Sequence, residues 1–193
     1  MSDGVIELDY GDPVSDDPES DVLDGLTALD LLSLYGMSDD ETFFVATTVA
    51  GDVYSAEGNF LYYFDTTHDV QGANVDVGRR PITVADPFKP EFRLDISMIE
   101  GQGSVQLNAW ANGEWETRTF TGSIAILAGD PSVIEIQVPR FLFGDSQQLH
   151  VGVLSTDRPR AHTAADILGT DFTPANWSEA LVMDVFFALP VTE

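Results

Sequence analysis

Residues 91–120 read EFRLDISMIEGQGSVQLNAWANGEWETRTF, and this stretch decides the fold class. Apolar and polar residues alternate from Phe92 to Met98, which is the period-2 pattern of a strand that buries one face. Asn112 and Gly113 separate two further segments of strand-forming residues, and this dipeptide is a strong signal for a two-residue hairpin turn. The stretch therefore predicts a strand followed by a β-hairpin.

The same kind of signal continues on both sides of this stretch. Short segments rich in β-branched and aromatic residues, bounded by glycine, aspartate or proline, predict further strands. Only residues 161–168 suggest a helix, a single short one inside a loop. About ten strands at intervals of about 8–12 residues predict an all-β fold, an antiparallel β-sandwich of the jelly-roll type with an immunoglobulin-like outline. The additional predicted strands lie at 26–35, 42–49, 59–64, 123–127, 133–138, 148–154 and 181–189.

Length and composition fit one domain that spans residues 1–193, because 44% of the residues are hydrophobic and can form a core. The acidic segment 1–25 is rich in aspartate, proline, glycine and serine, and it offers little apolar surface. We expect it to be a loop that becomes ordered only by docking or by binding a metal ion. No apolar run reaches the roughly 18 residues that a membrane span needs, so we expect no membrane insertion.

Charge is unevenly balanced, since the chain has 33 acidic and 8 basic residues and a formal net charge of −25. Such a field repels phosphate backbones, so we expect no nucleic-acid partner. It attracts cations, among them Ca²⁺, which binds carboxylate and carbonyl oxygens. Adaptation of the surface to high salt would explain the same composition, and the two explanations are compatible.

Two acidic segments supply candidate ligands for Ca²⁺. Asp65 and Asp69 follow a predicted strand and form a D-x-x-x-D loop. If the N-terminal segment packs beside this loop, the two segments together can supply several of the about 6 to 8 oxygens that Ca²⁺ takes. The alternative is that these carboxylates are solvated turn residues, because aspartate favours turns. The N-terminal candidates are Asp9, Asp12, Asp16, Asp17 and Asp21.

The predicted hairpin carries two tryptophans. Its register pairs Trp110 with Trp115 and directs both indoles to the same face as Gln106 and Asn108. Flat aromatic rings beside amide groups suit a carbohydrate, whose C–H faces stack while its hydroxyls form hydrogen bonds. The pattern therefore predicts Trp110 and Trp115 as stacking platforms and Asn108 and Gln106 as hydroxyl partners. The alternative is a cross-strand tryptophan pair that only stabilises the hairpin or packs under a loop.

Motifs of catalysis do not occur in the sequence. It has no G-x-S-x-G, H-E-x-x-H or P-loop pattern and no cysteine nucleophile, so we expect no catalytic residues and no enzyme activity. His68 lies in the loop after the predicted strand 59–64. We expect it to be a loop residue rather than a metal ligand, because no second histidine stands at the spacing of a metal motif.

Three segments carry a resemblance to a known family. They are the opening GDPVSDD at 11–17 followed by LDL at 29–31, the segment LYYFDTTHD at 61–69, and VIEIQVPRFLFG at 133–144. Their order resembles that of the DOMON-like and carbohydrate-binding-module family 9-like β-sandwiches, including the C-terminal modules of glucodextranase-type enzymes.

The resemblance implies a non-catalytic accessory module of an exported protein, secreted or at the cell surface, which most often binds carbohydrate and can hold a structural calcium ion. It leaves open a ligand-free structural or cell-surface attachment domain. A haem-binding redox module is a further alternative, for which Met98, Met183 and His150 would be candidate ligands. The oligomeric state is not indicated.

Overall fold

The computed structural model describes residues 10–77, 80–144, 146, 148–157, 164–170 and 179–189. Strands dominate it, and the sheets are antiparallel apart from one small parallel ribbon. The predicted all-β sandwich class is confirmed. Among the described residues, no helix has the length and apolar character to cross a membrane. The described 3-10 helices are Leu23–Gly25, Thr27–Leu29, Val53–Ser55 and Arg140–Phe143.

The first sheet includes the docked N-terminal strand. It consists of β1 (Ser15–Asp16), β2 (Leu31–Ser38), β3 (Thr42–Val49), β9 (Ser123–Leu127) and β10 (Ser132–Pro139). These strands pair antiparallel in the order β1-β2-β3-β10-β9.

The second sheet contains the predicted hairpin. It consists of β4 (Gly58–Asp65), β6 (Phe92–Ile99), β7 (Gln102–Ala111), β8 (Glu114–Arg118), β11 (Leu149–Asp157), β12 (Asp166–Ile167) and β14 (Phe187–Leu189). Its order is β12-β11-β4-β6-β7-β8, and β14 pairs with β11. A separate ribbon is formed by β5 (Ile82–Val84) and β13 (Leu181–Met183), which pair in parallel.

The core lies between the two large sheets, whose alternating apolar residues meet face to face. The ribbon β5–β13 covers the outer face of the second sheet and encloses a second apolar cluster, so the molecule has three layers at this place. Every residue of β4 is therefore buried. This explains why the sequence of that strand shows no alternation of polar and apolar residues.

The acidic N-terminal segment is docked over the part that the structure describes. The backbone N–H of Val14 donates to Leu34 O at 2.8 Å, and that of Leu23 donates to Ala165 O at 2.8 Å. The Tyr10 hydroxyl donates to the Glu135 carboxylate at 3.0 Å. Backbone pairing, together with the buried side chains of Tyr10, Val22 and Leu23, orders this largely polar segment.

The apolar segment 181–189 was predicted as one strand, and this prediction was wrong. It divides into β13 in the ribbon and β14 in the second sheet. Both halves are apolar because both pack against buried surfaces, so the change of partner leaves no mark in the hydropathy pattern.

The helix expected at 161–168 is also replaced, over its described residues, by strand β12. The Ala165 N–H donates to Ser155 O at 2.7 Å, and Asp166 and Ile167 pair with β11. The helix propensity of the two alanines at 164 and 165 is overridden by this tertiary pairing. Residues 161–163 lie outside the described part of the chain.

Candidate functional site

The hairpin of β7 and β8 has the predicted register. Asn112 and Gly113 form its turn with φ angles of 55° and 83°, as a type I′ turn requires. Trp110 is paired with Trp115, and Asn108 with Thr117. The two-residue turn thus fixes which side chains share the outer face of the second sheet.

The two indoles lie edge to face, with ring centroids 5.4 Å apart and an interplanar angle of 71°. The Trp115 Nε1–H donates to Val75 O at 2.8 Å, which ties the hairpin to the chain that leads into β5. Both tryptophans are partly exposed rather than buried in either apolar cluster. Trp115 is consequently held in one orientation, and Trp110 stands beside it.

A groove of about 950 Å³ lies between this hairpin and the β5–β13 ribbon. We call it the tryptophan groove. Its apolar surface comes from the two indoles and from residues of both ribbon strands, and its polar groups include the guanidinium of Arg80, the carboxylate of Glu114 and the hydroxyl of Thr83. The groove is lined by Val75, Asp76, Arg80, Pro81, Ile82, Thr83, Trp110, Gly113, Glu114, Trp115, Ala180, Leu181 and Val182.

A buried ionic network supports the floor of the groove. Arg93, only 2% exposed, donates to Asp76 Oδ1 and to Asp95 Oδ2, each at 2.5 Å. The Tyr63 hydroxyl also donates to Asp76 Oδ1 at 2.5 Å. Burial, together with the negative charge of Asp76, raises the pKa of Tyr63 well above its ordinary value, so the hydroxyl remains a donor. The network fixes Asp76 next to Val75, the residue that holds Trp115.

The predicted hydroxyl partners lie on the expected face but do not line the groove. Asn108 is 2% exposed, and its Oδ1 accepts from Gln106 Nε2 at 3.0 Å and from Thr117 Oγ1 at 3.3 Å. Gln106 is exposed but lies farther along β7. Asn108 lies two residues before Trp110 and is paired with Arg93, and Gln106 lies four residues before it and is paired with Asp95. Both amides therefore lie over the sheet, away from the groove. Neither amide lines the groove, and their role as hydroxyl partners of a sugar stays a prediction.

The predicted calcium ligands of the strand-end loop satisfy local backbone groups. Asp65 is buried, and its Oδ1 accepts from the His68 backbone N–H at 2.7 Å. Asp69 is exposed and accepts from the Gln71 N–H at 2.6 Å. These contacts are those of turn-forming aspartates.

Of the N-terminal candidates, the described residues Asp12 and Asp16 are not brought to that loop. Asp16 lies on β1 and accepts from Ser33 Oγ at 2.9 Å, Asp12 is exposed, and Asp9 lies outside the described residues. Edge strand β1 belongs to the first sheet, whereas Asp65 ends a central strand of the second. The sheet topology therefore keeps Asp12 and Asp16 apart from Asp65 and Asp69.

A different acidic cluster forms instead, and we call it the aspartate cluster. Carboxylate oxygens of Asp17, Asp21 and Asp166 lie within 4.8 Å of one another. Asp166 has no exposed surface; its Oδ2 accepts from the Leu31 N–H at 2.6 Å, and its Oδ1 has no hydrogen-bond partner among the described residues. Asp30, also fully buried, adds a nearby negative charge.

The electrostatics of the aspartate cluster disfavour full ionisation. Burial, with repulsion from neighbouring carboxylates, raises the pKa of Asp166 to about 8 and that of Asp17 to about 7. Burial also raises the pKa of Asp30. A divalent cation placed among these groups would replace the protons that they otherwise retain.

A second cluster contains the two histidines of the described residues. The pairing of β4 with β11 sets Asp65 opposite His150, and ligating atoms of Asp65, His68 and His150 lie within 4.8 Å of one another. His68 lies in a loop, as expected, but His150 from a distant strand stacks on it with ring centroids 4.6 Å apart, a proximity that sequence spacing does not reveal. Burial and the adjacent His68 lower the pKa of His150. The haem candidate Met98 lies in the main core, on the other side of the second sheet from His150.

The sequence carries signals for two residues whose cluster partners it did not reveal. His150 is a polar residue inside the apolar strand LHVGVL, and Asp166 interrupts the apolar segment AADIL. A buried polar side chain needs a partner, but the sequence does not say which one.

Comparison of the chain with protein-family models, with curated proteins and with solved structures gives no match. Membership of the DOMON-like and family 9-like sandwiches therefore stays a prediction.

Proposed function

We propose that the protein is a non-catalytic accessory module that binds carbohydrate in the tryptophan groove. One observation carries the proposal: two partly exposed indoles, one of them fixed by a hydrogen bond, form a wall of a groove that also holds polar side chains. An aromatic pair that served only to stabilise the hairpin would not need to border an open groove.

The groups around the indoles suit a sugar. An indole face stacks on the C–H surface of a pyranose ring, while Arg80, Thr83 and Glu114 offer hydrogen-bond donors and acceptors for hydroxyls. Sites for small ligands combine apolar walls with a few polar groups in this way. The net charge of −25 repels sulfated and uronic-acid polymers, so the proposed ligand class is neutral glycans.

Replacement of Trp110 should weaken glycan binding without disturbing the fold. The wild-type protein is run through native gels that contain a neutral polysaccharide (β-glucan, α-glucan, xylan, mannan or galactan), and one of these retards it. Trp110→Ala then weakens binding at least about 30-fold, because a central aromatic contributes about 2 kcal/mol or more to such an interface. Its thermal unfolding stays cooperative, since Trp110 is partly exposed and outside the core clusters.

Phe141→Ala is the matched control for this experiment. Phe141 is 73% exposed and belongs to the 3-10 helix Arg140–Phe143, not to the groove. This variant should be retarded like the wild type. If a polysaccharide retards Trp110→Ala as strongly as the wild type, the groove is excluded as the glycan site. If no polysaccharide retards the wild type, the ligand-free attachment domain is favoured instead.

A structural calcium ion is the second part of the proposal, and it rests on the aspartate cluster. Asp166 is fully buried with one oxygen that lacks a partner among the described residues, and two further carboxylates lie within 4.8 Å. Ca²⁺ is favoured by an all-oxygen donor set of this kind. An ion here would join the N-terminal segment to β12, and so fasten the edges of both sheets. We place the module in an exported protein, secreted or at the cell surface.

A further inference from the structure

The cluster of Asp65, His68 and His150 is not used by the proposed glycan and calcium functions. We propose that it binds a divalent transition-metal ion of the zinc class and leaves one coordination position for water or a small ligand. The three side chains meet where β4 ends beside the start of β11, and one ligating atom of each lies within 4.8 Å of the others.

The donor set determines the class of ion. Two imidazole nitrogens and one carboxylate oxygen suit Zn²⁺ and its neighbours in the transition series, whereas Ca²⁺ takes oxygen ligands. Three protein ligands with an open fourth position are the usual composition of a zinc site that exchanges water or ligand. The cluster therefore differs in chemistry from the aspartate cluster.

The three ligating atoms need to come only slightly closer together to coordinate one ion. Ligands about 2.0–2.1 Å from a tetrahedral Zn²⁺ lie about 3.4 Å from one another. The three atoms here lie within 4.8 Å of one another, and His68 Nδ1 is already 3.1 Å from Asp65 Oδ2. The His68 side chain is 38% exposed on a loop, so it can adjust toward His150. Asp65 and His150 are held on paired strands.

His150 supplies an independent observation. It is 9% exposed, and its Nδ1 is buried without a hydrogen-bond partner among the described residues. A buried polar atom without a partner costs about 1–3 kcal/mol, and coordination to a metal ion removes that cost. The fold places this imidazole beside that of His68 and the fully buried carboxylate of Asp65.

The surroundings of the cluster favour a defined site. Phe88 contacts both imidazoles, with ring centroids 5.4 Å from His68 and 5.6 Å from His150, and it stacks on Phe186 at 4.6 Å. An apolar shell on one side of a metal site restricts water and limits the movement of its ligands. The open coordination position would then lie toward the exposed side of His68.

The two clusters are distant enough to be titrated separately. On β11, His150 pairs with Asp65 and Ser155 pairs with Asp166. Five residues of a strand span about 17 Å. Excess Ca²⁺ can therefore occupy the oxygen site while Zn²⁺ is added to the histidine site.

The test is calorimetric titration of ZnCl₂ into the full chain, treated with EDTA, desalted and held in millimolar CaCl₂. The wild type should bind one Zn²⁺ per chain. His68→Asn should weaken Zn²⁺ binding by about 100-fold. Loss of a residue that only orients a metal ligand costs about 10- to 100-fold in affinity, and loss of a ligand itself should cost at least the upper value. Asparagine is chosen because His68 has a positive φ of 51°, which asparagine tolerates. His162→Asn, at the third histidine of the sequence, is the matched control and should bind like the wild type.

A second readout is independent of affinity. Co²⁺ in place of Zn²⁺ should give visible absorption in the wild type and in His162→Asn, and none in His68→Asn or His150→Asn. Unchanged melting of His68→Asn in EDTA would show that its fold is intact. Equal Zn²⁺ affinity of wild type and His68→Asn, or Zn²⁺ uptake without a one-to-one plateau, would overturn the proposal.

Discussion

Asp76→Asn should lower the free energy of unfolding by about 3 kcal/mol, because it leaves the buried guanidinium of Arg93 without its principal counter-ion. Asp76 Oδ1 accepts from both Arg93 and Tyr63 at 2.5 Å, and the Asp76 side chain is fully buried. Asparagine has nearly the same shape, so the change removes charge rather than volume. Asp95 still pairs with Arg93, which keeps the loss at the lower end of the range for a broken buried pair.

Chemical denaturation of matched variants measures this effect. Glu116→Gln removes the same charge from the exposed pair of Glu116 and Arg118, and it should change stability by less than about 1 kcal/mol. Asp76→Asn should also weaken glycan binding, since Asp76 fixes the adjacent Val75 carbonyl that holds Trp115. Equal stability of the two variants would show that the ionic network contributes little to the fold.

Saturating Ca²⁺ should raise the melting temperature by roughly 5–10 °C at pH 8.5 and fixed high ionic strength. A ligand at 100 times its Kd stabilises the folded state by about 2.7 kcal/mol, and 1 kcal/mol shifts the midpoint of a domain of this size by about 2–4 °C. The effect should grow as the pH rises from about 6 to 8, because protons and Ca²⁺ compete for the aspartate cluster.

The sign of the pH dependence without metal follows from the raised pKa values. Folding raises the pKa of Asp17 from 3.8 to about 7 and that of Asp166 to about 8. Between about pH 4 and 8 the folded state thus retains protons that the unfolded state has released, so stability in EDTA should fall as the pH rises through this window. Melting curves taken in EDTA at several pH values check this slope.

Two substitutions distinguish Ca²⁺ binding at the aspartate cluster from a general effect of Ca²⁺ on the acidic surface. Asp166→Asn removes a ligand and a titrating carboxylate, so it should abolish the rise in melting temperature with Ca²⁺ and make the dependence of stability on pH in EDTA shallower. The fold should persist, because the asparagine amide oxygen can still accept from the Leu31 N–H. Asp12→Asn removes an equal charge from an exposed position of the same N-terminal region and should keep the full shift. The same Ca²⁺ shift in both variants would show that the ion acts on the surface as a whole.

Local sequence signals predicted most of the sandwich. The alternation from Phe92 to Met98 and the Asn112-Gly113 turn both correspond to observed structure. The strand predicted at 42–49 has the bounds of β3, Thr42–Val49. What the pattern could not provide is the partner of each strand, so the division of segment 181–189 and the third layer were missed. Pairing between distant segments depends on tertiary packing, which hydropathy does not encode.

Only the part of the candidate site formed by residues close together in sequence could be predicted. Trp110 and Trp115 face each other because a two-residue turn fixes their register. The opposite wall of the groove comes from the β5–β13 ribbon, which packs on strands distant in sequence through the second apolar cluster. His150 and Asp166 likewise reach their clusters through the pairing of β11, far from their partners in sequence. Side chains brought together by long-range pairing have no common spacing that a motif could reveal.

Binding of a neutral glycan in the tryptophan groove can be followed at the indoles themselves. The indole N–H resonances are recorded in two-dimensional ¹⁵N–¹H spectra during titration with an oligosaccharide of the retarding polymer, with Trp110→Phe and Trp115→Phe as assignment variants. The Trp110 and Trp115 resonances should shift together and saturably, along with amides of the β5–β13 ribbon. Saturable shifts elsewhere, with both indole resonances unchanged, would show that the glycan binds outside the groove.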